Sequence, residues 1–113
     1  MTPGENLLAS IKLKSVFYDR HERRAYLRAV EIAKHIVDDP SLIRMGEAFL
    51  ERHMRFDPHQ ARYYSLWKRA LTLPPEDISR ALLEDSDLGA ELRGSAPVFV
   101  VLGDPAGAGR IVQ

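Results

Sequence analysis

The stretch YLRAVEIAKHIVDDPSL, Tyr26 to Leu42, decides the fold class of this 113-residue chain. Apolar residues recur in it at i, i+3, i+4 and i+7, the spacing of one helical face, and charged residues occupy the opposite face. The apolar set is Tyr26, Ala29, Val30, Ala33, Ile36 and Val37; the charged set is Arg28, Glu31, Lys34 and Asp38. The pattern predicts an amphipathic helix of roughly 18 residues, and the pair Asp39–Pro40 predicts that a second helix starts directly after it.

The same kind of helix start recurs further along the chain. Asp57–Pro58 repeats the Asp-Pro device, and Pro75 stands before Glu76 and Asp77, whose charges suit a first helical turn. Asp85 or Ser86 can open a last short helix that runs to about Leu92 and stops at Gly94.

The regions between these helix starts carry further apolar stripes at helical spacing. The stripes comprise Leu42, Met45, Gly46, Phe49, Leu50 and His53; Ala61, Tyr64, Trp67, Ala70 and Leu71; and Ile78, Ala81, Leu82, Leu88 and Leu92. Near the N-terminus, Leu7, Leu8 and Ile11 allow one more helix, which must pack on this chain or on another. The sequence therefore predicts an all-α protein: a compact bundle of four to five short helices over residues 1–94, with an extended C-terminal tail over residues 95–113.

Composition narrows the classes of function. The formal net charge is zero, and the chain is 45% hydrophobic and contains no cysteine. Disulfides, thiol nucleophiles and cysteine-bound metals are thereby excluded, and a reducing cytoplasm is the expected compartment. The apolar runs are much shorter than the ~20 residues that span a bilayer, so no membrane association is expected.

Two groups of residues that could bind a metal or act in acid–base catalysis lack the spacing that these roles require. His53, Asp57 and His59 lie within seven residues, but Asp57 is needed as a helix cap and the two histidines belong to different helices. His21, inside DRHERR, has no second acid or base at a defined spacing. We therefore predict no catalytic residues, no metal and no cofactor; a small nucleic-acid-cutting enzyme that uses His21 or His59 is kept as a third class.

The end of the chain combines acidic residues with an apolar, aggregation-prone run. Residues 74–113 carry seven acidic against three basic residues, whereas residues 1–36 carry seven basic against four acidic. Pro97 pushes Ala96 out of the helical region, and the uncharged residues 98–102 have high β-propensity. Such a run must be covered, either by this chain's own helices or by the sheet edge or groove of another protein.

Several motifs together resemble those of small bacterial proteins encoded in two-gene toxin-antitoxin cassettes. The matching positions are Asp39, Pro40 and Leu42; Tyr64, Trp67, Arg69 and Leu71; Pro75, Glu76, Ile78, Leu82, Leu83, Glu84, Asp85 and Ser86; and Leu92, Arg93, Ser95, Ala96 and Pro97. The chain departs from this pattern at Val98, where an aromatic residue commonly follows the proline, and in its ending GDPAGAGRIVQ. The resemblance implies an antitoxin-like protein that neutralises a partner toxin enzyme by binding it.

The expected partner-binding surface joins the acidic last helix to the extended segment. It comprises Glu84, Asp85, Asp87, Glu91, Arg93, Pro97, Val98, Phe99 and Val101. The alternative is a small helical DNA-binding transcriptional regulator that uses Arg20, Arg23, Arg24 and Arg28, although the zero net charge does not favour nucleic acid. Whether the chain forms a homodimer stays open.

Overall fold

The computed structural model describes residues 1–95. Its six α-helices are α1 (Pro3–Ser10), α2 (Arg20–Asp38), α3 (Ser41–Phe49), α4 (Ala61–Ala70), α5 (Pro75–Leu83) and α6 (Asp87–Gly94). A π-helical turn, Leu50–Met54, continues α3, and a 3₁₀ turn, Pro58–Gln60, leads into α4. No strand occurs in residues 1–95. The all-α prediction is confirmed, but the expected number of four to five helices is too low.

The structure has more helices than expected because short segments carry their own helix caps. Thr2 and Glu5 form a reciprocal capping box at the start of α1, and Pro3 occupies its first turn. Ser86 caps α6 by accepting a hydrogen bond from the Gly89 N–H. Each short helix therefore has a local start signal that makes it separate from its neighbour.

The predicted starts at Pro75 and at Asp57–Pro58 are confirmed. Pro75 is the first residue of α5, and the Asp57 side chain accepts a hydrogen bond from the His59 N–H. At Asp39 the structure differs by one residue: Asp39 closes α2, and Pro40 takes the cap position of α3. The Asp39 carboxylate still accepts a hydrogen bond from the Ser41 N–H at 3.2 Å.

Helix α2 is the centre of the packing, and α1, α3, α5 and α6 all contact it. The core consists of large side chains that are almost completely buried, chiefly Tyr26, Ile36, Leu50, Trp67, Ile78, Leu82 and Leu92. Between α2 and α5, the buried Ser79 hydroxyl donates a hydrogen bond to the Ala33 carbonyl at 2.8 Å. The N-terminal helix packs on this chain: the Gly4 N–H donates to Asp38 Oδ1 at 2.7 Å.

Four residues of the predicted apolar stripes lie at the surface, namely Met45, His53, Ala61 and Leu88. Met45 is 50% exposed and Leu88 is 46% exposed. The buried face of α3 runs through Gly46, which leaves Met45 beside it, and continues through Leu50 and Met54 of the π-helical turn. Leu88 lies in the first turn of α6, and the buried face of that helix runs through Gly89 and Leu92.

Tyr26 connects α2 to two other parts of the chain. Its hydroxyl donates a hydrogen bond to the Leu83 carbonyl and accepts one from the Lys14 N–H, both at 3.0 Å. The Phe17 ring lies 5.5 Å from the Tyr26 ring, centre to centre. This one side chain thus fixes both the end of α5 and the segment between α1 and α2.

The substitution Tyr26→Phe tests this connection. It leaves the Lys14 N–H and the buried Leu83 carbonyl without their partner, so we expect a loss of about 1–3 kcal/mol in the free energy of unfolding. Tyr18→Phe is the matched control, because Tyr18 is 92% exposed and should be neutral. Urea denaturation measures both; equal stabilities would contradict the assigned role.

Candidate partner-binding site

The acidic residues of the expected binding surface lie around the corner between α5 and α6. Helix α5 ends at Leu83, and Glu84 follows in an extended conformation. The Ser86 N–H donates a hydrogen bond to the Glu84 carbonyl at 3.0 Å, and the Ser86 hydroxyl starts α6. We call residues 84–87 the acidic corner; the side chains of Glu84, Asp85 and Asp87 are exposed there.

Arg93 lies beneath this corner and not on its surface. Its Nη1 donates hydrogen bonds to the Leu82 carbonyl at 2.9 Å and to the Glu84 carbonyl at 2.8 Å. The guanidinium carbon is 5.0 Å from the centre of the Tyr26 ring, and the residue is only 9% exposed. These hydrogen bonds satisfy carbonyls that the end of α5 leaves unpaired. The structure thus places Arg93, expected at the partner surface, where it supports the corner.

Burial lowers the pKa of the Arg93 guanidinium, while the nearby Tyr26, Asp85 and Glu22 act in the opposite direction. The group stays charged because the ordinary arginine pKa lies far above neutral pH. A buried charge requires compensation, and here it comes from two carbonyls, a ring face and neighbouring carboxylates.

The four acidic residues of the expected binding surface, Glu84, Asp85, Asp87 and Glu91, differ in whether they form ion pairs within the chain. Asp85 forms an ion pair with Lys14, whose Nζ is 3.3 Å from Asp85 Oδ1, and Glu91 forms one with Arg62. Within residues 1–95, the side chains of Glu84 and Asp87 have neither an ion pair nor a hydrogen-bond partner. Two negative charges at the corner are thus free to act on another molecule.

Lys14 also binds Glu22, with 2.5 Å between Nζ and Oε1. The hydrogen bond from Lys14, followed by one from the Tyr18 N–H, lowers the pKa of Glu22. The pair with Glu22 correspondingly raises the pKa of Lys14. Lys14 therefore links the start of α2 to the acidic corner, a role that no pattern in the sequence indicated because its partners are distant along the chain.

A cleft of about 540 Å³ opens beside the corner. Its walls include Lys14, His21, Asp85, Asp87, Arg93 and Gly94. Asp85 and Asp87 come from the acidic corner, whereas Gly94 is the last residue of α6. Of the two carboxylates without a partner, Asp87 lines this cleft, and Gly94, where the chain leaves α6, lines it as well.

The exit point itself is fixed by Ser95. Its hydroxyl accepts a hydrogen bond from Trp67 Nε1 at 3.0 Å and donates one to the Glu91 carbonyl at 2.7 Å. The residue is 5% exposed, so the start of the C-terminal segment is held against α4. Pro97, Val98, Phe99 and Val101 lie outside the described residues.

The residues expected to contact nucleic acid lie together on the first half of α2. Arg20, Arg23, Arg24 and Arg28 are all exposed, and their helical spacing places them on one broad face. None of these four side chains pairs with a carboxylate within residues 1–95. A groove lined by Asp19, Arg20, His21 and Arg24 adjoins this face.

The histidines considered for metal binding or catalysis lie on different elements. His21 is in α2, His53 is in the π-helical turn with its ring against Phe49, and His59 is in the 3₁₀ turn. Within residues 1–95, no group of three His, Cys, Asp or Glu side chains is close enough to hold a metal ion.

Three comparisons with known proteins gave no match: neither a family model, nor a curated protein, nor a solved structure is similar to the chain. Among the helices of residues 1–95, none has the length and apolar character needed to cross a membrane.

Gly89 offers a test of how the corner is held. A Cβ at this position would fall onto the Glu84 carbonyl oxygen and close to Arg93 Nη1. We expect Gly89→Ala to destabilise the protein by about 1–3 kcal/mol through overpacking. Gly94→Ala, in the same helix, meets nothing within 4 Å and should not destabilise it. Thermal unfolding compares the two, and similar losses would contradict the proposed close approach.

Proposed function

We propose that this chain is an antitoxin-like protein that binds a partner toxin enzyme and neutralises it, without catalysis of its own. The observation that carries the proposal is the shared cleft: Asp85 and Asp87 line it together with Gly94. A partner that binds at this cleft can meet the acidic corner and the C-terminal segment at once. The motif resemblance to bacterial toxin-antitoxin cassettes supports the same function and a cytoplasmic setting.

The acidic corner suits a partner with a basic surface. Glu84 and Asp87 carry charges that this chain does not neutralise within residues 1–95, and both are exposed. Such charges steer an oppositely charged partner and raise the rate of association. Enzymes that act on RNA or nucleotides present basic active sites, where carboxylates can take the place of phosphates. We therefore propose that the partner is an enzyme of this class.

Asp85 and Glu91 contribute differently to this surface. Both are engaged within the chain, by Lys14 and by Arg62. A basic group of the partner has to compete with these lysine and arginine side chains, so the gain from binding at Asp85 or Glu91 is smaller. The free pair, Glu84 and Asp87, should account for most of the electrostatic attraction.

The C-terminal segment supplies the apolar part of the proposed interface. Pro97 favours an extended backbone before it, and residues 98–102 are apolar and without charge. An extended segment of this kind binds by adding to a sheet edge or by filling a groove, with alternate side chains giving specificity. Val98, Phe99 and Val101 are the residues that we assign to this contact.

Co-expression with the protein encoded by the neighbouring gene tests the proposal. A chain truncated after Ser95 keeps the hydrogen bond from Trp67, and we expect it to stay helical but to lose the complex. In the full chain, the pair Glu84→Gln and Asp87→Asn should lower the association rate roughly tenfold at low salt, because free charge at the corner is removed. Size-exclusion chromatography and surface plasmon resonance measure the two effects.

A charge-matched control is available elsewhere on the surface. Glu47→Gln with Glu76→Gln removes two exposed carboxylates that have no partner within residues 1–95, so it changes net charge equally. This control should leave the association rate within about twofold of wild type. Retention of the complex by the truncated chain would overturn the role of the C-terminal segment, and equal rates for both double variants would overturn the role of the corner.

The arginine face of α2 favours a second candidate function, DNA binding. Four exposed arginines without carboxylate partners in residues 1–95 suit contacts with phosphates. They are concentrated on one helix although the net charge of the chain is zero. A small DNA-binding regulator that uses Arg20, Arg23, Arg24 and Arg28 is therefore the alternative reading of the structure.

The pair Arg24→Ala and Arg28→Ala separates this candidate from the first. If this face binds a duplex, loss of two phosphate contacts should reduce the slope of log K against log salt by about 1.8. Fluorescence anisotropy over a salt series gives that slope. Arg44→Ala with Arg69→Ala, also exposed, is the control and should leave the slope unchanged. No measurable affinity of the wild-type chain at low salt would dismiss the candidate.

A further inference from the structure

A second groove lies beside the cleft, on the segment that connects α1 to α2. It has a volume of about 310 Å³ and is lined by Lys12, Leu13, Lys14, Ser15, Val16 and Asp85. Val16 is 79% exposed and Leu13 is 39% exposed. We call it the apolar groove. Large aliphatic side chains that are exposed to solvent on a connecting segment mark a surface that another segment or molecule can cover.

The backbone around this groove also has free hydrogen-bonding capacity. The N–H groups of Lys14 and Tyr18 are bound, by the Tyr26 hydroxyl and by Glu22. Within residues 1–95, the N–H groups of Leu13, Ser15 and Val16 have no hydrogen-bond partner. A segment laid along the groove could therefore gain backbone hydrogen bonds as well as apolar contact.

The groove and the cleft form one continuous surface. Lys14 and Asp85 line both of them, and Gly94 lines the cleft. The surface thus leads from the end of α6, past Asp85, to Val16. Ser95, the residue after Gly94, is held by Trp67, so the chain that follows starts from a fixed point at one end of this surface.

We propose that residues 98–102 of the same chain occupy the apolar groove when no partner is bound. The segment is apolar and uncharged, which matches the exposed Val16 and Leu13. Residues 96 and 97 connect the fixed Ser95 to this segment, so Val98 can lie up to about 10 Å from Ser95. An intramolecular segment on so short a tether has an effective concentration in the millimolar range, so it occupies the groove ahead of a second copy.

This docking gives the chain a closed resting form. The groove covers the β-prone run until a partner is present, which limits aggregation of the free protein. A partner that takes the run must first release it from the groove; this step rests on the proposed function above, whereas the docking itself does not. Weakening the groove should therefore speed association with a partner.

Disulfide trapping tests the docking without any partner. The chain has no cysteine of its own, so Val16→Cys with Phe99→Cys introduces the only two thiols. We expect an intramolecular disulfide in a glutathione redox buffer, at a rate independent of protein concentration. Phe56→Cys with Phe99→Cys is the matched control: Phe56 is 83% exposed and lies outside both the groove and the cleft. The control should form its bond at least tenfold more slowly.

Each outcome of the trapping experiment decides the proposal. A fast, concentration-independent bond at position 16 supports docking within the chain. Equal rates for the two pairs overturn it, and a bond that forms only between molecules shows that a second copy fills the groove. Val16 and Phe56 are both largely exposed, so the substitutions should leave the helical circular dichroism unchanged, which is checked first.

A second variant connects the docking to the proposed function. Val16→Asn places a polar, uncharged group in the groove and should raise the rate of association with the neighbouring-gene protein at least threefold, while Phe56→Asn should not. An unchanged rate for Val16→Asn overturns the proposed release of the segment from the groove to the partner. Because trapping needs no partner, a trapped chain that binds nothing would refute the proposed function alone, and a chain that binds but cannot be trapped would refute the docking alone.

Discussion

The buried guanidinium of Arg93 is the constraint on which the α5–α6 corner depends. It lies against the Tyr26 ring and donates to the carbonyls of Leu82 and Glu84. Tyr26 in turn bonds Leu83 and Lys14 through its hydroxyl. The segment before α2 and the α5–α6 corner, which are distant in sequence, are thereby held around one aromatic ring. Glu84 and Asp87 keep their positions on the surface because this support lies beneath them.

The electrostatics of the corner explain why some acidic residues serve the fold and others do not. Removing a guanidinium from water is costly, and nearby carboxylates offset part of that cost. Asp85 and Glu22 act in this way on Arg93, and both also pair with Lys14. Glu84 and Asp87 have no such task within residues 1–95. Among the acidic residues of the corner, Glu84 and Asp87 are therefore the two whose charge the fold does not use.

The sequence predicted those features of the fold that arise from near neighbours. The helix starts at Asp57–Pro58, Pro75 and Ser86 were predictable because a cap acts within three residues. The π-helical turn after α3 was not predictable, because no local sequence signal marks it. Arg93 was assigned to the partner-binding surface because it begins the segment that follows the acidic residues; only the meeting of α2, α5 and α6 creates its buried site.

The two parts of the proposed interface should contribute to binding in different ways. The acidic corner is preorganised by Arg93, so its charges act on an approaching partner without any ordering cost, and they influence mainly the rate of association. The apolar run has to leave the groove proposed for it before it binds a partner, and that release costs free energy. Its apolar side chains can repay that cost only after contact, so they influence mainly the rate of dissociation.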